Sequence, residues 1–340
     1  LATYRQSQKG LDLAEAALSQ AEQDLIVRVS QAYFDVLASQ DSLTFVQAQK
    51  KAVAEQLASA KRNFEVGTAT ITDTREAQAR YDLVIAQEIA ADNDVRVKQV
   101  ALELLVGKGT LSPLRIKPNA ALPAVDGQGV DGWIAQSEQA HPAIQLARAN
   151  LDIAKLESEK AMAGHKPTVE LTLGYNVQKN LNGTSIGALA GGVNFTQNTV
   201  KSAGITATLP LFAGTATQNR LRETVALEEK ARMDLEGAQR QVAQATRTAF
   251  LGLQSGLGQV KAYEAAESSS QVALDANKLG YQVGVRINID VLNSQSQLYQ
   301  TKRDLAKARY DVLVGQLKLR QAAGVLKAGD MASINALLAP

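Results

Sequence analysis

Cysteine is absent from the chain. That removes disulfides, thiolate nucleophiles and cysteine-held zinc together, and it suits an oxidising compartment. Histidine is nearly absent too: only His141 and His165 occur, both in connecting segments near a proline. Neither can complete a Ser-His-Asp grouping or a metal-ligand cluster, and no Walker-type glycine loop is present. An enzyme is therefore not expected, and no catalytic residue, cofactor or metal is assigned. A dominant charge is also lacking: 36 basic and 34 acidic residues are interspersed. Without a basic stripe to grip phosphates, nucleic acid is excluded as a partner. No stretch approaches about 18 uncharged apolar residues, so a membrane could be crossed only by strands. The opening Leu1-Ala2-Thr3-Tyr4 lacks the charged start, apolar middle and cleavage site of an export signal. Aromatics make up only 4% of the chain although hydrophobic residues make up 45%, a mixture suited to long helices with narrow apolar seams.

What is present is a duplication. At an offset of 217 residues the two halves match without a gap as far as Gly107. Ala32-Tyr33 matches Ala249-Phe250, Leu57 matches Leu274, and Phe64-Glu65-Val66-Gly67 matches Tyr281-Gln282-Val283-Gly284. Asp73 matches Asp290, Gln78 matches Gln295, Leu102 matches Leu319, and Gly107 matches Gly324. A two-unit repeat has to be read before any motif is interpreted. All seven prolines, at 113, 118, 123, 142, 167, 210 and 340, fall outside the repeated units. Each unit is thus free to form a long helical hairpin.

Apolar residues at Val53, Leu57, Ala60 and Phe64, and at Ala238, Val242, Ala245 and Ala249, have the 4-3-4 spacing of a coiled-coil seam. Val291, Leu298, Leu305, Val312 and Leu319 recur every seven residues, with Leu292, Tyr299, Ala306 and Leu313 beside them. Two adjacent stripes let one helix contact neighbours on both sides, as a closed ring requires, although an ordinary antiparallel bundle has the same period. The arm from about 218 to 279 would span about 90 Å if unbroken. Gly252 to Gly258 is expected to bend or loosen it.

Between the units the period changes to two. Val169, Leu171, Leu173, Tyr175 and Val177 alternate with polar residues or glycine, and Ala203, Ile205, Ala207 and Leu209 do the same in a second run. Each run has about the length of a tilted transmembrane strand, and together they read as one hairpin. The segment from 178 to 201, with Asn182-Gly183 as a turn signal, reads as a long polar outer loop. Residue 1 aligns with Gln218, just after this hairpin and its closing Pro210-Leu211-Phe212-Ala213-Gly214. A matching hairpin of the first unit is therefore expected before Leu1, along with the missing export signal. The residues leave two readings open: a membrane channel, or a soluble periplasmic coiled-coil scaffold or adaptor whose hairpin is covered by protein.

The segments Ser30–Leu37 (SQAYFDVL), Phe64–Asp73 (FEVGTATITD), Gly280–Leu292 (GYQVGVRINIDVL) and Pro210–Gly214 (PLFAG) resemble the TolC family of outer-membrane efflux and type I secretion channels. The resemblance implies a mainly α fold with a β-barrel portion. Long coiled-coil hairpins would form a trimeric α-barrel in the periplasm, and strands from each protomer would join one transmembrane β-barrel in the outer membrane. It implies a homotrimer exporting drugs or secreted protein, in contact with outer-membrane lipid, a periplasmic adaptor and an inner-membrane transporter. On this reading the chain divides into a first hairpin (1–107), a linker with short helices of an equatorial belt (108–166), a transmembrane hairpin (167–212), a second hairpin (213–324) and a tail (325–340).

Residue by residue, the resemblance places adaptor docking at the turns Val66, Gly67, Thr68 and Val283, Gly284, Val285, where Val285 departs from the usual Thr or Leu. It places a periplasmic gate at Thr72, Asp73, Tyr281 and Arg286. A guanidinium and a phenol can share a carboxylate, and exposed bonds of about 0 to 1 kcal/mol each suit a latch meant to open. It makes Asp290 the entrance ring that favours cations. Asn293 stands where a second acidic ring is often found, so block by multivalent cations is expected to be weaker.

Overall fold

The computed structural model describes residues 2–109, 113–117, 122, 127–179, 197–211 and 214–338. Its elements are α1 (Ala2–Glu65), α2 (Ile71–Val106), α3 (Gly129–Ala140), α4 (Pro142–Ala163), β1 (Thr168–Lys179), β2 (Gln197–Thr208), α5 (Ala216–Gln282), α6 (Asn288–Ala322), a 3-10 turn (Ala328–Asp330) and α7 (Met331–Asn335). They form two units, one of Leu1–Leu13 with Ala147–Leu235, the other of Ala14–Leu146 with Glu236–Pro340.

The duplication is carried into backbone geometry in the second unit. α1 ends at Glu65 and α5 at Gln282; α2 begins at Ile71 and α6 at Asn288, each pair 217 residues apart. Gly67 and Gly284 have φ of 79° and 80°, a left-handed conformation that glycine adopts without steric cost. Both turns close in the same way: Thr68 N and Ala69 N donate to Asn63 O at 2.8 and 3.1 Å, and Val285 N and Arg286 N donate to Gly280 O at 2.9 and 3.1 Å. The helix starts that follow differ. Thr70 caps α2 with a reciprocal bond to Asp73, whereas its equivalent Ile287 has no side chain able to cap α6.

α6 is packed on both sides. Val291, Leu298, Leu305, Val312 and Leu319 are all buried, clustering with Leu253, Val260 and Leu274 of α5. The adjacent stripe supplies Leu292 to a cluster with Val46, Val53, Leu57 and Val84, and Leu313 to one with Val27, Phe34 and Leu37. Each such side chain contributes about 1.5 to 3 kcal/mol on burial. The seam expected on α5 holds at Val242, which is buried, and at Ala249, which packs against the core, but Ala245 is exposed and Thr246 is buried beside it, the line continuing through Leu253, Val260 and Leu274. Thr246 Oγ1 satisfies itself by donating to Val242 O or to Ala322 O, at 2.9 and 2.8 Å. The glycine run does not break α5, which continues to Gln282. At Gly256 a Cβ would lie 3.2 Å from Val312 Cγ2, so this glycine serves close helix approach rather than bending.

Tyr310 lies beside Phe34 with centroids 5.8 Å apart and donates to Asp41 Oδ2 at 2.6 Å. Burial, reinforced by that carboxylate, pushes the phenol well above its ordinary range. The tail and linker meet where Ile116 bridges Leu338 and Lys117 N donates to Leu337 O at 3.0 Å. His141 lies between α3 and α4, its Nδ1 accepting from Ala143 N at 3.1 Å, and burial lowers its pKa.

In the first unit β1 and β2 form one antiparallel hairpin. Its strands are longer than the alternation suggests, because pairing continues to Lys179↔Gln197 through a stretch in which, Val200 apart, the added residues are polar. The Asn182-Gly183 turn lies outside the described residues. The register pairs Val169 with Ala207, Leu171 with Ile205 and Leu173 with Ala203, putting the apolar sets of both strands on one face. At the helical end of this unit Glu157 accepts from Gln6 Nε2 and Arg220 Nη2, both at 2.9 Å, tying α1, α4 and α5 together. These two bonds, with Lys160 adding to them, lower the Glu157 pKa from 4.5 to about 2. A carboxylate depressed by folding stabilises above its unfolded pKa and loses that contribution as pH falls through the folded one. Thermal midpoints of the full-length protein are therefore expected to fall between about pH 4.5 and about pH 2, less steeply in Glu157→Gln. Identical pH profiles would remove Glu157 from this role.

Candidate functional site at the hairpin tips

Both turns present apolar side chains outward: Val66, Val283 and Val285 are 73%, 65% and 76% exposed. Thr68 Oγ1 donates back to Asn63 O at 3.0 Å, which its equivalent Val285 cannot do. The second turn is thus bare hydrocarbon where the first carries a hydroxyl. Beside them an open groove of about 800 Å³ is lined by Asp73, Tyr281 and Arg286 among others. Thr72 is exposed on the first turn of α2.

The structure brings Asp73, Tyr281 and Arg286 to one groove but gives each a different partner. Asp73 Oδ2 accepts from Thr70 N and Oγ1 at 2.9 and 2.8 Å, so its carboxylate is committed to capping α2. Tyr281 OH accepts from Asn63 Nδ2 at 3.1 Å. Arg286 pairs with Asp290 Oδ2 at 3.6 Å, one turn along. Asp290 is available because Ile287, unlike Thr70, makes no capping bond to it. Gly280 gives the arginine its path: a Cβ there would lie 2.6 Å from Arg286 Cγ. An exposed i,i+4 pair of this kind contributes about 0.3 to 0.5 kcal/mol.

Asn288, Gln56 and Arg80, which sequence reasoning passed over, make further ties. Asn288 is fully buried; its Oδ1 accepts from Gln56 Nε2 of α1, and its Nδ2 donates to Asp73 O of α2 at 3.2 Å. Arg80 Nη2 of α2 donates to Asn293 Oδ1 of α6 at 2.9 Å. A buried amide group left without its partner costs about 1 to 3 kcal/mol, so Asn288 outweighs the Arg286 pair within one chain. The repeat itself held the signal: the position equivalent to Asn288 is the apolar Ile71. Among the described residues no cluster of His, Cys, Asp and Glu could hold a metal ion, and no helix is long and apolar enough to cross a membrane.

The model of the family described as outer membrane efflux protein matches residues 1–108 and 133–325. Outer membrane protein TolC of Vibrio cholerae serotype O1 is 34% identical, across 98% of this chain and 76% of its own length. Outer membrane protein TolC of Escherichia coli K12 is 29% identical, across 96% of this chain and 67% of its own. The alkaline protease secretion protein AprF of Pseudomonas aeruginosa is 31% identical, across 96% and 67%. The outer membrane protein VceC of Vibrio cholerae has the same fold, with a TM-score of 0.77 at 20% identity, over 95% of this chain and 75% of that one. The channel CusC also matches at 0.77, with 18% identity over 94% and 72%. A soluble scaffold would not account for these matches, and that reading is set aside. Helical hairpins in duplicate, a strand hairpin with one apolar face, and relatives matched along nearly the whole chain agree: the chain belongs to the outer membrane efflux protein family and is an outer-membrane channel extending into the periplasm.

Proposed function

We propose that this export channel works as a homotrimeric, gated conduit that receives cargo from an inner-membrane transporter through a periplasmic adaptor. The observation that carries the ring is a surface used inside the chain and repeated, bare, outside it. Within the chain Val314 and Leu317 of α6 cluster with Phe34 of α1. Their equivalents 217 residues away are Val97 and Val100 on α2 and Leu251 on α5, which are 55%, 63% and 53% exposed. α2 of one copy set against α5 of the next would repeat the internal contact and generate a closed ring.

Val97→Asp is accordingly expected to shift the detergent-solubilised protein from trimer to monomer in light scattering, while the exposed Ala79→Asp leaves it trimeric. A Val97→Asp variant as trimeric as wild type would refute this interface.

In this reading the turns Val66-Gly67-Thr68 and Val283-Gly284-Val285 take the adaptor, Thr72, Asp73, Tyr281 and Arg286 belong to the gate, and Asp290 lies in the entrance ring. The secretion named in AprF and in the proteases secretion protein PrtF of Dickeya chrysanthemi, with the efflux named in BepC of Brucella suis, supports both kinds of cargo. Single-channel recording of the full-length protein in a planar bilayer tests the conduit. Small, stable conductances that rise in Arg286→Ser are expected; well-folded protein that never conducts would refute it.

A further inference from the structure

The Arg80 contact has a consequence for charge. α2 and α6 pack together, and the guanidinium of Arg80 rests on the Asn293 carboxamide, on the same face of α6 as Asp290 one turn earlier. A carboxamide accepts the hydrogen bond without cancelling the charge. Among the described residues Arg80 forms no ion pair, whereas Asp290 already has Arg286 at 3.6 Å. Of the charged groups named at the tips, Asp73 and Asp290 are acidic and Arg286 and Arg80 are basic, so the loss of Arg80 leaves the acidic groups in excess.

We propose that Arg80 is a selectivity residue of the conduit: its charge, parked on Asn293, offsets the field of Asp290, so that the entrance does not favour cations. The inference rests on the reading above that the hairpin tips are the entrance. In a ring every such charge is repeated, and a narrow opening with low-dielectric walls focuses its field on passing ions. An arginine held by a neutral acceptor keeps full charge and a fixed position, which a bare surface arginine would lack.

The test is the reversal potential of the full-length channel in a potassium chloride gradient. Wild type is expected to pass potassium and chloride with little preference. Arg80→Gln should raise the preference for potassium about threefold or more, and Asn293→Asp, which would neutralise the same guanidinium, should move it the same way. Arg80→Lys keeps the charge while changing the hydrogen-bond geometry, and should leave the reversal potential where it was. Channels of Arg80→Gln with an unaltered reversal potential would overturn the role of Arg80 and leave the conduit standing. Wild-type protein that forms no channels would overturn both.

Discussion

Gly324→Ala should destabilise the protein by about 3 to 5 kcal/mol, and Gly107→Ala by only about 1 to 2. The two glycines are equivalents in the repeat and share the same φ of 71°. Both end a helix: Gly107 N donates to Glu103 O at 2.9 Å, and Gly324 N to Gln321 O at 2.8 Å. An L-residue held in that left-handed conformation costs about 1 to 2 kcal/mol at either site. Their surroundings differ. Around Gly107 an added Cβ would meet nothing within 4 Å, whereas at Gly324 it would lie 2.7 Å from His141 N and 2.9 Å from the Ala140 carbonyl carbon. Backbone cannot rotate aside as a side chain can, so the overlap must be relieved by parting α6 from the α3–α4 junction. Denaturant midpoints of the two variants measure the difference. Equal losses would mean that the junction yields more easily than its packing implies.

Asn288→Ala should raise the open probability of the channel about tenfold, more than the loss of Arg286 through its in-chain pair alone. The substitution leaves Gln56 and the Asp73 carbonyl without their partner, costing about 1 to 3 kcal/mol. If that cost falls only on the closed tip, about 1.4 kcal/mol of it corresponds to a tenfold shift. Arg286→Ser, removing an exposed pair of about 0.3 to 0.5 kcal/mol, shifts the same equilibrium about twofold. Single-channel recording of both variants decides between them. Should Arg286→Ser open the channel far more than Asn288→Ala, the main partner of Arg286 is on a neighbouring protomer rather than on Asp290.

Much of this arrangement is legible without coordinates because it repeats. The two stripes on α6 recur every seven residues, and a helix that displays them must be covered on two sides. Glycine at 67 and 284, preceded by a long helix and followed by a β-branched stretch, marks a helix stop. Strand register follows from alternation, since a slip of one residue would turn the apolar set of one strand to the opposite face of the hairpin.

The proposed gate was legible only as a neighbourhood. Residue types say that Asp73 can bind a guanidinium, but Thr70 is three residues away and reaches the carboxylate as part of the helix cap. Local capping competes with any longer-range latch, and in this chain it holds the carboxylate. Asn288, Gln56, Arg80 and Asn293 are ordinary polar residues in helices, a class usually found on solvated faces. Only the packing of α6 against α1 and α2 turns them into buried or bridging groups.

By itself, then, the sequence determined what is periodic or local: the duplication, the helical hairpins, the glycine turns and the strand pair. These follow from backbone sterics and from repeated burial along one element, which neighbouring residues encode. Tertiary structure decided which of two equivalent glycines is confined by backbone and which amide ties the tips together. Such choices depend on side chains far apart in sequence coming within about 3 Å, and no local pattern records that distance.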